Sequence, residues 1–230
     1  MIKNYLSLTK PGIIMGNAIT ASGGFFLASR GTFDPVLYLA MLAGLSLIIA
    51  SGCVINNYFD RDIDALMERT KHRALVAGAK VPIAPWKALV FGACLGVVGV
   101  LVLFLYTNVL TLGIALFGGF IYIVLYTFWF KRHSVKSTFV GSLSGAVPPV
   151  IGYCAVTNTI DAAAIILFLI LVLWQMPHFF AIALYRIEDY TAASIPVLPV
   201  RRGVLATKIQ TVIYINAFIV VTLALTAFDY

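Results

Sequence analysis

Seven long apolar runs separated by short polar breaks dominate the chain, over residues 13–29, 36–58, 86–106, 109–130, 138–156, 162–184 and about 206–226. Each is close to the ~20 apolar residues that carry an α-helix across a bilayer core. None alternates polar and apolar positions as a half-buried strand would, and an isolated strand leaves its backbone unsatisfied in lipid. The pattern therefore predicts an all-α, polytopic transmembrane helical bundle with seven spans, read as a single domain over 1–230. Proline and glycine mark the breaks: Lys10-Pro11-Gly12 before the first span, Pro35 opening the second, Pro82 and Pro85 bracketing the start of the third. Pro148-Pro149 falls inside the fifth and predicts a bend there, because it removes backbone donors.

Composition sharpens this picture. With 61% apolar and 11% charged residues, the chain has too few charges to cover a soluble globule. Glycines at four-residue spacing, Gly92, Gly96 and Gly99 in the third span and Gly141 and Gly145 in the fifth, predict close helix packing. Cys53, Cys94 and Cys154 lie in apolar runs without paired spacing, so neither a disulfide framework nor a zinc site is expected. The first residues, MIKNYLSLTKPG, lack the small-residue cleavage site of a signal peptide. The net charge of +7 is a topology signal and not a mark of nucleic-acid binding. Of 16 lysines and arginines, all but Arg30 fall on the side that holds the N-terminus. That bias places the N-terminus and the charged loops in the cytoplasm.

Candidate chemistry begins where the second span ends, in NNYFDRDIDALMERTKHR (56–73). Asn56, Asp60 and Asp64 recur every four residues and share one helical face, with Asn57 at its margin and Arg61 and Asp62 off it. Arg69, Lys71, His72 and Arg73 follow. Oxygen ligands on one face, then cations, suit a hard divalent metal that holds a phosphate. The alternative is a solvated, positive-inside loop.

This stretch resembles the first aspartate-rich motif of the UbiA superfamily of intramembrane prenyltransferases, Asn-Asp-x-x-Asp-x-x-x-Asp. Asn57 stands where that pattern has Asp. The departure, with the MERTKHRALVAG that follows, is similar to the haem-modifying branch, which farnesylates haem. The second charged loop supports the likeness: Tyr185-Arg186-Ile187-Glu188-Asp189-Tyr190 takes the place of the Asp-x-x-x-Asp of other members, against a quinone-type acceptor. The family usually has nine spans, so the expectation is a prenyltransferase domain without the last two helices.

The resemblance implies farnesyl diphosphate and haem B as substrates, Mg2+ as cofactor, and a bacterial inner membrane as location. Terminal oxidase assembly or haem A synthase are candidate partners. It assigns metal binding to Asn56, Asn57, Asp60, Asp64, Glu188 and Asp189, with Asp60, Asp64 and Asp189 catalytic. Lys71, Arg73, Lys131 and Arg132 would meet the diphosphate, and Tyr58, Tyr122, Tyr126 and Trp174 would shield a farnesyl cation from water. If the sixth helix continues to Asp189, Trp174, His178, Tyr185 and Asp189 form one stripe, which should face the bundle interior. His178, Trp174 and Tyr185 are the candidate haem contacts, with a hydrogen-bonded structural histidine as the alternative for His178. Two other functions remain open on the residues: prenylation of an aromatic quinone precursor, and a divalent-cation transporter.

Overall fold

The computed structural model describes residues 2–79 and 82–228; Lys80 and Val81 of the first loop and Asp229 and Tyr230 lie outside them. After a short helix, α1 (Ile2–Leu8), the chain runs through α2 (Pro11–Ser29), α3 (Pro35–Phe59), one-turn α4 (Arg61–Asp64), α5 (Pro85–Tyr106) and α6 (Val109–Phe120). A π-helix (Ile121–Phe130) and α7 (Lys131–His133) complete the fourth rod. Then come α8 (Ser137–Gly145), α9 (Val147–Thr157), α10 (Ala162–Tyr185), α11 (Ile187–Ala192), α12 (Leu198–Ala224) and a closing 3-10 turn (Leu225–Phe228). Seven rods among the described residues are long and apolar enough to cross a membrane, with α8–α9 counting as one. The protein is a multi-pass membrane protein.

The rods alternate in direction, which leaves two unlike ends. One end has tight turns closed by side-chain caps. Asp34 accepts from the Val36 and Leu37 amides, Asn108 from Thr111, and Asp161 from Ala164. Such caps satisfy amides that a helix start leaves without partners. The other end carries the long connections around residues 60–84, 131–136 and 186–197, and these hold the charged motifs.

Packing joins α2 to α9, α3 to α5 and α10 to α12. Between α2 and α9 the backbones touch: a Cβ on Gly152 would lie 1.9 Å from the Ala21 carbonyl oxygen, and one on Gly24 2.0 Å from that of Pro149. The expected role of the other glycines holds. Gly92, Gly96 and Gly99 face α3, while Gly141 seats the Tyr126 ring and Gly145 the Gln175 amide. The core gathers Ala21, Phe25, Met41, Leu45, Leu103 and Ile151 from α2, α3, α5 and α9.

The bend expected at Pro148-Pro149 appears as a break at Ala146. There α8 ends and α9 restarts with proline in its first turn, where a missing N–H does no harm. Helical structure after the second loop begins at Leu198, ahead of the expected 206. Gly203, at φ 80°, then breaks it. Residues 198–202 thus belong to the loop-end cap and the long rod follows Gly203, a turn that needs a residue without Cβ.

Candidate active site

The first motif forms as its spacing predicts, although α3 itself stops at Phe59. Asp60 adopts φ −87°, ψ 0°, and the four-residue bonding continues through Asp60 N to Asn56 O (2.9 Å) and Asp64 N to Asp60 O (2.7 Å). Asn56, Asp60 and Asp64 point inward, 3%, 0% and 1% exposed, while Asp62 turns out to solvent. Asn57 is also buried, its amide donating to the carbonyls of Leu8 (2.9 Å) and Cys53 (3.0 Å), so it ties α1 to α3.

Buried carboxylates must be paired, and each takes its own cation. Asp60 bonds Lys131, brought from the fourth rod, and accepts from Asn56 Nδ2 at 2.8 Å. Asp64 pairs with Arg73 at 2.7 Å, and its carbonyl receives the Thr70 hydroxyl at 2.9 Å. Two of the four expected diphosphate cations, Arg73 and Lys131, therefore stand at the buried acids. The other two do not. Arg132 holds Asp62 in a bidentate pair (2.6 and 2.7 Å) on the outer side, which keeps the Asp62 carboxyl at about 2. Lys71 is exposed and bonds Glu68 at 2.7 Å. The reason is reach: exposed carboxylates at Asp62 and Glu68 capture the nearest long side chains.

The second loop meets the first through Asp189, whose Oδ1 accepts from the Glu68 amide at 2.8 Å. Ile63 and Met67 pack against Ala183, Ala193, Ile195 and Val197 beneath that bond. Burial pushes the Tyr190 phenol up, as do Tyr126 and Asp189, while Arg69 and Lys131 pull it down, so both motifs surround one mouth. Glu188 is exposed. The six expected metal ligands are thus not gathered into one cage. No group of three carboxylate, histidine or cysteine side chains that could hold a metal converges among the described residues, and Asp60, Asp64 and Asp189 bond to different donors.

The continuous stripe on the sixth rod is also corrected. Its helix ends at Tyr185, and Arg186 (φ −111°, ψ 28°) starts a new direction for α11, so Asp189 does not extend the face of His178. The packed face of α10 carries Gln175, Met176, Phe180 and Ala183 instead. Trp174 (49%), His178 and Tyr185 (79%) are exposed, with the Trp174 and His178 rings stacked at 5.2 Å. Tyr122 and Tyr126 do lie close together, stacked at 5.9 Å, with Tyr122 against Gly52 and Tyr126 against Gly141. Tyr58 is taken up by the Arg61 guanidinium at 4.3 Å.

Two site residues escaped the sequence reading. Lys10 donates to Asn56 Oδ1 at 2.6 Å, and Thr127 accepts from Asn56 Nδ2 at 3.1 Å. Burial pulls the Lys10 ammonium down to about 8; the Cys53 thiol and Asp60 oppose this, Arg73 and Lys131 reinforce it. Lys10 stands in the sequence as a basic residue before a span, a place that topology alone explains. Asp60 Oδ1 and Asn57 Oδ1 are both buried without a hydrogen-bond partner. A buried carboxylate oxygen and an amide oxygen left over beside three cations form a donor set that suits a hard divalent ion and its anionic ligand.

A sequence profile of the UbiA prenyltransferase family matches residues 17–229. A protoheme IX farnesyltransferase of Serratia proteamaculans (strain 568) is 55% identical over the whole chain, which covers 77% of that protein. A protoheme IX farnesyltransferase of Yersinia pseudotuberculosis serotype O:1b (strain IP 31758) is 54% identical with the same coverage. Among solved structures, a digeranylgeranylglyceryl phosphate synthase superposes with a TM-score of 0.75 at 21% identity, over 96% of this chain and 75% of that one. A UbiA homologue from Archaeoglobus fulgidus bound to DMAPP and Mg2+ gives 0.75 at 14% identity, over 95% and 76%. At those identities the structures speak for the fold.

Proposed function

The chain belongs to the UbiA prenyltransferase family, and on that premise we propose that it transfers a farnesyl group from farnesyl diphosphate to a vinyl group of haem B. The choice of acceptor rests on the 55% identity to a protoheme IX farnesyltransferase along the entire chain. The chemistry rests on one feature of the fold: buried Asp60 and Asp64, with Lys131 and Arg73 bonded to them and Lys10 bonded to Asn56 beside Asp60.

An allylic carbon becomes electrophilic only when its diphosphate is stabilised as it leaves. Asp60 and Asn57 would hold Mg2+, with Asn56 orienting the Asp60 carboxylate beside it, a reading supported by the unpaired Asp60 and Asn57 oxygens and by the Mg2+ in the Archaeoglobus homologue. When bound, that ion supplies Lewis-acid stabilisation of the departing diphosphate. Lys131, Lys10 and Arg73 place positive charge around the same oxygens, preorganised by the ion pairs of Lys131 with Asp60 and Arg73 with Asp64 and by the Lys10 hydrogen bond to Asn56. Asp189, clasped to the Glu68 amide, closes the second loop over the first and keeps water from the reacting carbon. The paired Tyr122 and Tyr126 rings present π-faces to a developing carbocation beside the acids. The haem vinyl group attacks that carbon, and water captures the cation formed next to the porphyrin, which leaves a hydroxyethylfarnesyl substituent. Trp174, His178 and Tyr185 stand exposed on α10 as the surface that would meet the porphyrin. The positive-inside bias supports a site on the cytoplasmic face, and the bacterial relatives support an inner membrane as its location.

The test is the mass of haem extracted after the purified protein is incubated with haem B, farnesyl diphosphate and Mg2+. The expected product is heavier by one farnesyl group and one hydroxyl, the proton of the captured water being released. Unchanged haem under these conditions, with correctly inserted protein, refutes the assignment.

A further inference from the structure

The fourth rod abandons α-helical winding where it enters the site. From Ile121 to Phe130 it is a π-helix, and the Lys131 amide still reaches back to the Tyr126 carbonyl. Such segments are uncommon and recur at functional sites. Their wider turn brings residues four and five apart onto one face, here Tyr122, Thr127 and Lys131. Thr127 is 1% exposed. Its hydroxyl proton goes to the Tyr122 carbonyl at 2.9 Å, so its lone pair is free to accept from Asn56 Nδ2 at 3.1 Å. The other Asn56 amide proton goes to Asp60 Oδ2 (2.8 Å), and Asn56 Oδ1 takes the Lys10 ammonium (2.6 Å). Donors and acceptors match in only this sense. A reversed Asn56 amide would set its oxygen against the Asp60 carboxylate and its NH2 against the Lys10 ammonium.

We propose that Thr127 is a positioning residue: its hydroxyl joins the π-helix to Asn56, and so aims the Asn56 amide and holds Lys131 in register with Asp60. The inference rests on the reading of this site as a metal–diphosphate site. Without the hydroxyl, Asn56 loses one partner in a buried place and the π-helix loses this hydrogen bond to α3, keeping ring contacts such as Phe128 on Phe59.

Thr127→Val keeps the shape and removes the hydroxyl; Thr127→Ser keeps the hydroxyl and removes the methyl. The measurement is the thermal unfolding midpoint of the full chain in detergent, followed as Mg2+ is titrated at fixed inorganic pyrophosphate. The Mg2+ concentration giving half the shift is expected to rise about tenfold for Thr127→Val, the order of one buried hydrogen bond, and to stay near wild type for Thr127→Ser. In steady state, the KM for farnesyl diphosphate should follow the same order while that for haem is unchanged. A Thr127→Val protein that titrates like wild type overturns the inference, and so does equal impairment by Ser and Val, which would make the residue a packing element. A wild-type protein with no Mg2+-pyrophosphate response overturns the site reading and the inference together. Should Thr127→Val not accumulate, Thr127→Cys, with a weakly bonding thiol of similar size, serves in its place.

Discussion

Lys131→Met separates what the Asp60 ion pair does for the fold from what it does for the reaction. The Asp60 side chain is 1% exposed and that of Lys131 15%, so the pair is held out of water. Removing one partner of such a pair leaves an uncompensated buried charge, at a cost of about 3–5 kcal/mol. The lower end applies, because Asp60 keeps the Asn56 Nδ2 bond and Lys10 lies one hydrogen bond further away. For a chain of this length, about 3 kcal/mol lowers the unfolding midpoint by roughly 6–12 °C. Adding Asp60→Asn removes the stranded charge, so the double variant should recover most of that loss. Neither variant should turn over, since the cation and then the carboxylate at the diphosphate are gone. The assay is thermal unfolding of the four proteins of this cycle in one detergent without Mg2+ or diphosphate, alongside product formation. A Lys131→Met protein that melts with the wild type refutes the pairing, and a double variant less stable than both single variants refutes the stranded-charge argument.

Arg73→Ala should raise the KM for farnesyl diphosphate at least tenfold, whereas Lys71→Ala, which loses only an exposed pair with Glu68, should leave it within about twofold; initial rates on purified protein compare them. The Asp62 carboxyl, held at about 2 by Arg132, lies below the ordinary ~3.9. Its contribution to stability is therefore present above about pH 4 and lost as pH falls towards 2. Asp62→Asn should flatten that limb of the melting profile by a small amount, as an exposed pair allows, and leave turnover intact. Asp189→Ala should speed hydrogen exchange at the Glu68 amide and abolish product formation; unchanged exchange would show that the bond between the loops does not form in solution.

Much of the molecule was legible along the chain because membrane helices declare themselves locally. Seven apolar runs and prolines at the breaks gave the rods to within a few residues. The four-residue rhythm of Asn56, Asp60 and Asp64 already separated the buried acids from Asp62, since helical geometry alone puts Asp62 on the other face. What tertiary structure decided were the partners. Lys131 and Arg132 are adjacent and chemically alike, yet one meets buried Asp60 and the other exposed Asp62, a difference that an aromatic run does not reveal. Lys10 enters the site only because α1 and α2 bring it beside α3, and no short-range pattern marks a lysine before a span as anything but a topology signal. The stripe from Trp174 to Asp189 failed for a related reason. A single residue at Arg186 leaves helical geometry, and every facing relation beyond it is set by how the Asp189 loop packs on Ile63 and Met67, contacts made by residues more than a hundred positions apart.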